Sequence, residues 1–402
     1  MKFWVGDTIT QFTGQISGFA FPVVAVLTLD ATGFELGVIE ALGFLAFPTI
    51  GLFVGVWMDR WRRRPVMVVA NLIQVAALGS IPAAYVLGVL GLYQLYAVSL
   101  VMGITTVFYD VAYQSYLPSL VEKEDVVEGN QKLQVSASAS SVVGPGVASV
   151  LYAFVGAALS VVADSLGTLA AAFALLSIRK PEPHPAPRAP GAERHFFAEM
   201  KEGIKVVFGN KLLWTQAGCT GTSNFGNNMF GVAFVLYIYR VLAISPKVAG
   251  IIFSIGSVGF LLGVLASPKV TARIGLGRTI ALSTVSNFAL FIVLLAQGTF
   301  APLVVGVAQF ITFFWLPIYN INQVSLRQII TPNRLQGRMN ATMRTIVWGT
   351  IPVGSFLGGI FSTSLGVVPT LILGILISGG ATFWIVLGPT LRLKKQPEPA
   401  KD

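Results

Sequence analysis

Apolar runs of roughly 20 residues, the length that crosses the hydrocarbon core of a bilayer, recur along the whole of this 402-residue chain. Twelve can be placed, at about 4–29, 35–57, 66–88, 92–116, 132–154 and 157–178, then 213–239, 248–268, 278–297, 301–325, 341–363 and 367–390. Backbone inside lipid must satisfy its own N–H and C=O groups, so unbroken runs of this length admit only helices. The strict alternation of a membrane barrel strand is missing from them. Charged residues make up 11% of the chain and mean hydropathy is +0.75, where a soluble domain carries about 25% charge. So few charges cannot cover a soluble surface of this size. The fold class that follows is an all-α polytopic membrane protein with twelve transmembrane helices.

The formal net charge of +10 is distributed by side rather than gathered into a patch. Of the 27 Lys and Arg residues, 24 fall in one set of alternate loops and in the two terminal segments. Among them are Arg60, Arg62, Arg63 and Arg64, seven basic residues from Arg179 to Lys211, and Arg392, Lys394, Lys395 and Lys401. Short loops rich in Lys and Arg stay in the cytoplasm, which places both termini there and excludes nucleic acid as the reason for the charge. The N-terminal residues M-K-F-W-V-G-D lack the n-region and cleavage site of a secretory signal. The first span is expected to serve as its own insertion signal.

Between the sixth and seventh spans lies R-K-P-E-P-H-P-A-P-R-A-P-G-A-E-R-H, Arg179 to His195, whose five prolines make an extended linker. Phe196 to Phe208 then reads as an amphipathic helix expected to lie on the membrane surface. Four segments result: 1–178 as an N-terminal six-helix bundle, 179–210 as a cytoplasmic Pro-rich linker with its amphipathic helix, 211–391 as a C-terminal six-helix bundle and 392–402 as a cytoplasmic tail. The halves repeat one another. Span four leaves through Gln114 to Asn130 and span ten through Gln323 to Asn340, and the basic turn after span two has a degenerate counterpart from Gly263 to Arg278. Two parallel six-span halves imply a two-fold pseudo-symmetric bundle, alternating access and a substrate path near the midplane.

Several motifs carry a resemblance. The turn from Gly55 to Arg64 reads G-V-W-M-D-R-W-R-R-R, and its Gly-x-x-x-Asp-Arg-x-x-Arg-Arg pattern resembles the cytoplasmic loop signature of the major facilitator superfamily of transporters. Phe108 to Pro118, the Gly144-Pro145 pair, Val162 to Leu166, Asn320 to Gln328 and Leu335 to Ala341 are similar to a branch that contains macrolide-efflux-like and enterobactin-exporter-like proteins. The chain departs from the family pattern at Arg62, where the loop signature usually has Gly. It departs again at Gly144 to Ser149, which reads G-P-G-V-A-S in place of Gly-Pro-x-x-Gly-Gly. Small residues remain there, so Gly144 is expected to allow close packing and Pro145 a bend.

The resemblance implies a cytoplasmic latch made of Gly55, Asp59, Arg60, Arg63, Arg64, Asp110 and Arg344. Asp59 would sit against the positive end of span eleven near Arg344, and Arg63 would pair with Asp110. The plainer reading makes the arginines topology anchors. Two intramembrane acids, Asp7 and Glu40, are proton-coupling candidates because a carboxylate in hydrocarbon is functional by default; a hydrated position near either surface is the alternative for each. Asp164 in span six reads as a structural, hydrogen-bonded acid. Gln11, Gln15, Asn224, Asn227, Asn228, Phe230, Trp315, Asn320 and Gln323 are substrate-cavity candidates. Gln11 and Gln15, like Asn224 and Asn228, share a helix face by their spacing of four. Helix–helix hydrogen bonding and lipid-facing packing are the competing readings for these side chains.

No catalytic arrangement or metal site is visible, and the chain is not read as an enzyme. His184 and His195 both lie in the linker, Cys219 is the single cysteine, and no phosphate-binding Gly-rich loop supplies ATP chemistry. No cofactor is expected; a proton gradient would be the energy source. Together with the resemblance, these features lead to a monomeric, proton-coupled exporter of small amphiphilic molecules such as drugs, macrolides or siderophores, in the bacterial cytoplasmic membrane, with protons and membrane lipids as its other partners. A lysophospholipid transporter or flippase and a non-transporting, transporter-like sensor are the alternatives.

Overall fold

The helices begin and end where local chemistry tells them to. The computed structural model of the chain describes residues 2–58, 61–120, 126–178, 180, 182, 196–393 and 397. Helix α1 spans Lys2–Val23 and α2 spans Gly33–Met58. A reciprocal capping box opens α2: the Thr32 N–H donates to Glu35 at 2.7 Å, and the Glu35 N–H donates to Thr32 Oγ1 at 3.3 Å, satisfying donors that a helix start leaves orphaned. Then come α3 Arg63–Val86, α4 Leu92–Leu120, α5 Val126–Val155 and α6 Ala157–Leu176. After the linker follow α7 Phe196–Gly209, α8 Lys211–Leu236, α9 Pro246–Ile274, α10 Leu276–Val285, α11 Ala301–Ile329, α12 Asn333–Ser364, α13 Val367–Gly380 and α14 Thr382–Val386. Asn210 caps α8 by accepting from the Leu212 N–H at 2.9 Å. No strand occurs among the described residues.

Gly156, Gly275 and Gly366 hold positive φ between α5 and α6, α9 and α10, and α12 and α13, a backbone state open to glycine without steric cost. The ends of α1 and α8 repeat a less common device. Each runs into a π-helical turn, Val24–Thr28 and Tyr237–Val241, followed by a non-glycine residue at φ 51°, Asp30 and Ala243. The backbone closes alike in both, with the Ala31 N–H on the Ala25 carbonyl at 2.8 Å and the Ile244 N–H on the Ile238 carbonyl at 2.9 Å.

Ten helical spans among the described residues are long and apolar enough to cross a bilayer, and the bent pair Val135–Ser141 and Val143–Val155 makes eleven. The bend is 45° and falls at position 142, next to Ser141, whose carbonyl stands four residues before Pro145 and is displaced by the proline ring. Helix α8 is long enough to span as well, but Thr215, Gln216, Thr220, Thr222, Ser223, Asn224, Asn227 and Asn228 dilute its apolar character. Several helices outrun the apolar runs: α4 continues to Leu120, α9 to Ile274 and α12 begins at Asn333. Hydropathy marks only the part that lipid must accept, whereas backbone hydrogen bonding carries a helix on into water. The ninth span changes from α-helix to 3-10 helix over Ser286–Leu295.

The chain forms two compact units. The first holds Met1–Pro187 together with Ile238–Ser254 and the second Arg188–Tyr237 together with Ile255–Asp402. In the first, α1 packs along α5 and α6, α2 along α4, and α3 along α4 and α6. One close backbone crossing sets Gly103 against the Gly43 carbonyl, where an added Cβ would come within 2.5 Å. In the second, α8 packs along α12 and α13. Gly226 of α8 meets α13 at Gly374 and Ser378, and Gly354 and Gly358 of α12 meet the α8 backbone at Phe225 and Met229. Small residues let helix backbones approach, which is the main packing gain available where lipid is as apolar as the protein. Helix α7 docks on α12 and α8. Its Val207 is buried with Leu213, Ala217, Met339 and Met343, and its Glu202 pairs with Arg338. The apolar face of the helix is divided: Val206 and Val207 turn onto the protein, whereas Ile204 and Phe208 are exposed.

Candidate functional site

Asp7 sits in the second turn of α1 and is 3% exposed. Gln11, one turn on, and Tyr113 of α4 face it, and Tyr109 and Phe3 complete an aromatic surround. Tyr109 and Tyr113 stack with centroids 6.0 Å apart, and Phe3 lies 5.4 Å from Tyr113. One carboxylate oxygen, Oδ2, is buried without a partner, and no cation pairs with Asp7 among the described residues. Helical spacing on α1 and α4 brings these groups together: positions 3, 7 and 11 share one face, as do 109 and 113. A carboxylate so placed carries its charge at an effective cost of about several kcal/mol unless a proton or a cation joins it. That is the chemistry expected of a proton-exchanging group.

Glu40 differs. It is half-buried on α2, and nothing among the described residues hydrogen-bonds or pairs with it. Asp164 is 3% exposed on α6 and faces Thr13 and Ser17 of α1, with Thr168 donating to its Oδ1 at 3.4 Å. Gly167 beside it leaves no room for a side chain against Thr13, so this acid sits within a tight α1–α6 crossing.

The polar candidates divide by unit. On α1, Gln11 and Gln15 are half-buried; Gln15 lies against Gly144 of α5, where any Cβ would strike it. Gly14 and Gly18 on the same helix are exposed and have open space beside them. On α8, Asn224 donates to the Val347 carbonyl of α12 at 3.1 Å, Asn227 to Ser223 Oγ at 3.3 Å and Asn228 to the Asn224 carbonyl at 2.8 Å. Asn287 joins this network from the ninth span, donating to Ser223 Oγ and to the Ser378 carbonyl, both at 3.2 Å. Phe230 is 6% exposed and stacks on Phe234 at 5.0 Å, which makes it a packed core ring. Trp315 is half-buried, edge-on to Phe314 at 5.5 Å. Asn320 is exposed, and Gln323 is 5% exposed with Oε1 unpartnered.

At the basic turn the structure brings in a residue that sequence reading missed. Glu182, from the linker, accepts the Arg63 N–H at 2.7 Å and the Arg64 N–H at 3.0 Å, and its carboxylate lies 3.6 Å from the Arg63 guanidinium. It therefore caps the start of α3, where free N–H groups and the helix dipole favour an anion. Arg64 reaches the end of α6, donating to the Leu175 carbonyl at 2.9 Å and the Leu176 carbonyl at 2.6 Å. Gly55 has open space beside it, and Asp110 is half-buried on α4. Asp59 and Arg60 lie outside the described residues. Arg344 rests over the Trp348 ring, 4.4 Å from its centroid. Trp57, Trp61 and Phe108 stack at 5.9 to 6.4 Å beside the turn, as amphipathic rings do at a bilayer surface. The one sequence signal for Glu182 is an acid set between prolines directly after span six. Among the described residues no group of three or more His, Cys, Asp or Glu is gathered as a metal would need.

Long apolar helices, small-residue crossings and polar faces kept inside the bundles define a polytopic membrane transporter. The chain belongs to the Major Facilitator Superfamily, whose family model matches residues 3–350. It is similar to macrolide efflux protein A of Streptococcus pyogenes, 28% identical with 90% of this chain and 89% of that protein covered. It is similar as well to the enterobactin exporter EntS of Salmonella typhi, 26% identical with 88% and 84% covered. Among solved structures, the nucleoside transporter NupG matches with a TM-score of 0.70 at 16% identity, covering 96% of this chain and 98% of that one. A bacterial homologue of the iron transporter ferroportin matches with a TM-score of 0.68, also at 16% identity and with 96% and 98% covered. These two likenesses establish the fold.

Proposed function

We propose that this transporter is a secondary active exporter that moves small amphiphilic organic molecules out of the bacterial cytoplasm in exchange for protons. The observation that carries the reading is Asp7, a buried carboxylate with an unpartnered oxygen and no cation among the described residues. Likeness to a macrolide efflux protein and to an enterobactin exporter supports the outward direction and the amphiphilic substrate class. Protonation of Asp7, with Glu40 as the second acid, would alter the polarity of the α1 face that carries Gln11 and so lower affinity for the substrate. The six-span halves would then exchange between two access states, and the turn held by Arg63, Arg64 and Glu182 would steady one of them. The polar face of α8 at Asn224, Asn227 and Asn228 would contribute to substrate contact. The protein would work as a monomer with both termini in the cytoplasm and no cofactor.

Purified protein in liposomes with an imposed pH gradient and an internal pH dye tests this. Macrolides, catecholate siderophores, lipophilic cations and lysolipids are added in turn to wild type, Asp7→Asn and Glu40→Gln. Proton flux triggered by a macrolide or siderophore, and lost in Asp7→Asn, is the expected result. Labelled substrate crossing with no proton movement in the wild type would overturn exchange.

A further inference from the structure

The second unit contains a half-buried arginine with no carboxylate paired to it among the described residues. From Gly203 to Pro397 the sequence has no Asp or Glu at all. Arg327 sits there in the last turn of α11, half-buried, with Nε fully buried and without a hydrogen bond. No carboxylate pairs with it among the described residues. The acids left to this unit are Glu193, Glu199, Glu202, Glu398 and Asp402. Glu202 is held by Arg338, and the side chains of the others lie outside the described set.

Helix register brings two buried amides to the level of this part of α11. Gln216 of α8 is 1% exposed with both Oε1 and Nε2 unpartnered, and Gln323 of α11 is 5% exposed with Oε1 unpartnered. Their register follows from one contact: the Thr220 and Tyr319 hydroxyls hydrogen-bond at 2.6 Å, and Cys219 is buried in the same cluster as that tyrosine. The two helices run antiparallel, so one turn from that contact brings Gln216 on α8 level with Gln323 on α11. Arg327 follows Gln323 by one more turn on the same face. A basic residue suits a helix C-terminus, which accounts for a cation at position 327. It does not account for a buried Nε or for two orphaned amides on the faces that meet there, since buried polar groups in folded proteins are as a rule paired.

We propose that Gln216, Gln323 and Arg327 form an oxyanion-binding site in the second unit, taking a carboxylate or phosphate group. The guanidinium supplies charge and a planar donor edge, and the amides supply further donors together with acceptors for a hydroxyl next to the anion. The site deepens the exporter reading and rests on it for its physiological ligand: the cargo would carry an acidic group at one end. Solute carboxylates and the phosphate of an anionic lipid offer the same chemistry.

Benzoate and benzamide share a shape and differ in charge, so they are the probes. Their binding to full-length protein in phosphatidylcholine nanodiscs is measured by saturation-transfer NMR titration, with no gradient and no transport. Benzoate is expected to bind at least tenfold more tightly than benzamide. That preference is expected to vanish in Arg327→Gln, to weaken in Gln216→Ala and Gln323→Ala, and to persist in Arg334→Gln, a change at an exposed residue. All variants are compared as monodisperse fractions, and the glutamine variants test the site should Arg327→Gln not fold. Repetition in phosphatidylglycerol discs separates the sources: abolished benzoate binding assigns the site to the lipid phosphate, and unchanged binding assigns it to a solute. Equal binding of benzoate and benzamide, or full benzoate binding in Arg327→Gln and both glutamine variants, would overturn the proposal. Because nothing is transported, a failed proton-exchange assay leaves this result standing, and the reverse holds as well.

Discussion

Glu182 shows how much one side chain can fix in a membrane bundle. It accepts two backbone N–H groups at the start of α3 and lies against the Arg63 guanidinium, so one residue satisfies a helix start and steadies a basic turn. Glu182→Ala is expected to lower stability by ~1 kcal/mol, the usual value of a helix cap, seen as a reduced Tm of the purified protein. Glu182→Gln, which still accepts hydrogen bonds but lacks charge, should fall between. An unchanged Tm in both would show that the cap carries no weight. This residue was hard to find from sequence for a physical reason. Its contact spans more than a hundred positions, and local patterning records only what neighbours along the chain do. Asp7 was easier, because a carboxylate within an apolar run stands out against its surroundings; its burial and its Tyr113 neighbour came only with the fold. Phe230 went the other way: an aromatic in a polar helix reads as a cavity ring, yet it lies 6% exposed against Phe234.

Helices were the most legible element, since apolar length is a direct demand of the bilayer. What hydropathy hides is how they end and cross. Two turns at corresponding places hold Asp30 and Ala243 at φ 51°. Asp visits this left-handed state with less difficulty than Ala, which it costs about 1–2 kcal/mol. Ala243→Gly is therefore expected to raise stability by about 1 kcal/mol, read from thermal unfolding; a fall of that size would contradict the strain. Crossings give a matched pair of tests. Gly226 has the α13 backbone at Gly374 and Ser378 within reach of any added Cβ, whereas Gly14 has open space. Gly226→Ala should cost about 1–3 kcal/mol through overpacking, and Gly14→Ala should be neutral or stabilising because alanine favours the helix. Both are measured by retained monodispersity after stepwise heating. Sequence could not separate these two glycines, since each sits among small residues in an apolar or polar helix and only the crossing decides.

At the scale of the molecule, charge divides the chain more sharply than hydropathy does. The intramembrane acids Asp7, Glu40, Asp110 and Asp164 all lie in the first six spans, and the stretch from Gly203 to Pro397 has none. Intramembrane carboxylates are thereby confined to one half of the sequence, and under the proposed exchange proton and cargo would compete through conformation rather than through a shared contact. The family and the helical fold were legible because they rest on composition and on short motifs. The proposed coupling step rests in the sequence on a pair of candidate acids, Asp7 and Glu40. The most direct test of it compares two modes of transport in Asp7→Asn proteoliposomes. Counterflow of labelled substrate against unlabelled substrate needs binding and the change of access, whereas uphill accumulation driven by a pH gradient needs the proton as well. The account predicts that Asp7→Asn keeps counterflow within about threefold of wild type, well under the tenfold that 1.4 kcal/mol represents, and loses gradient-driven accumulation entirely. Accumulation that survives in Asp7→Asn would contradict it.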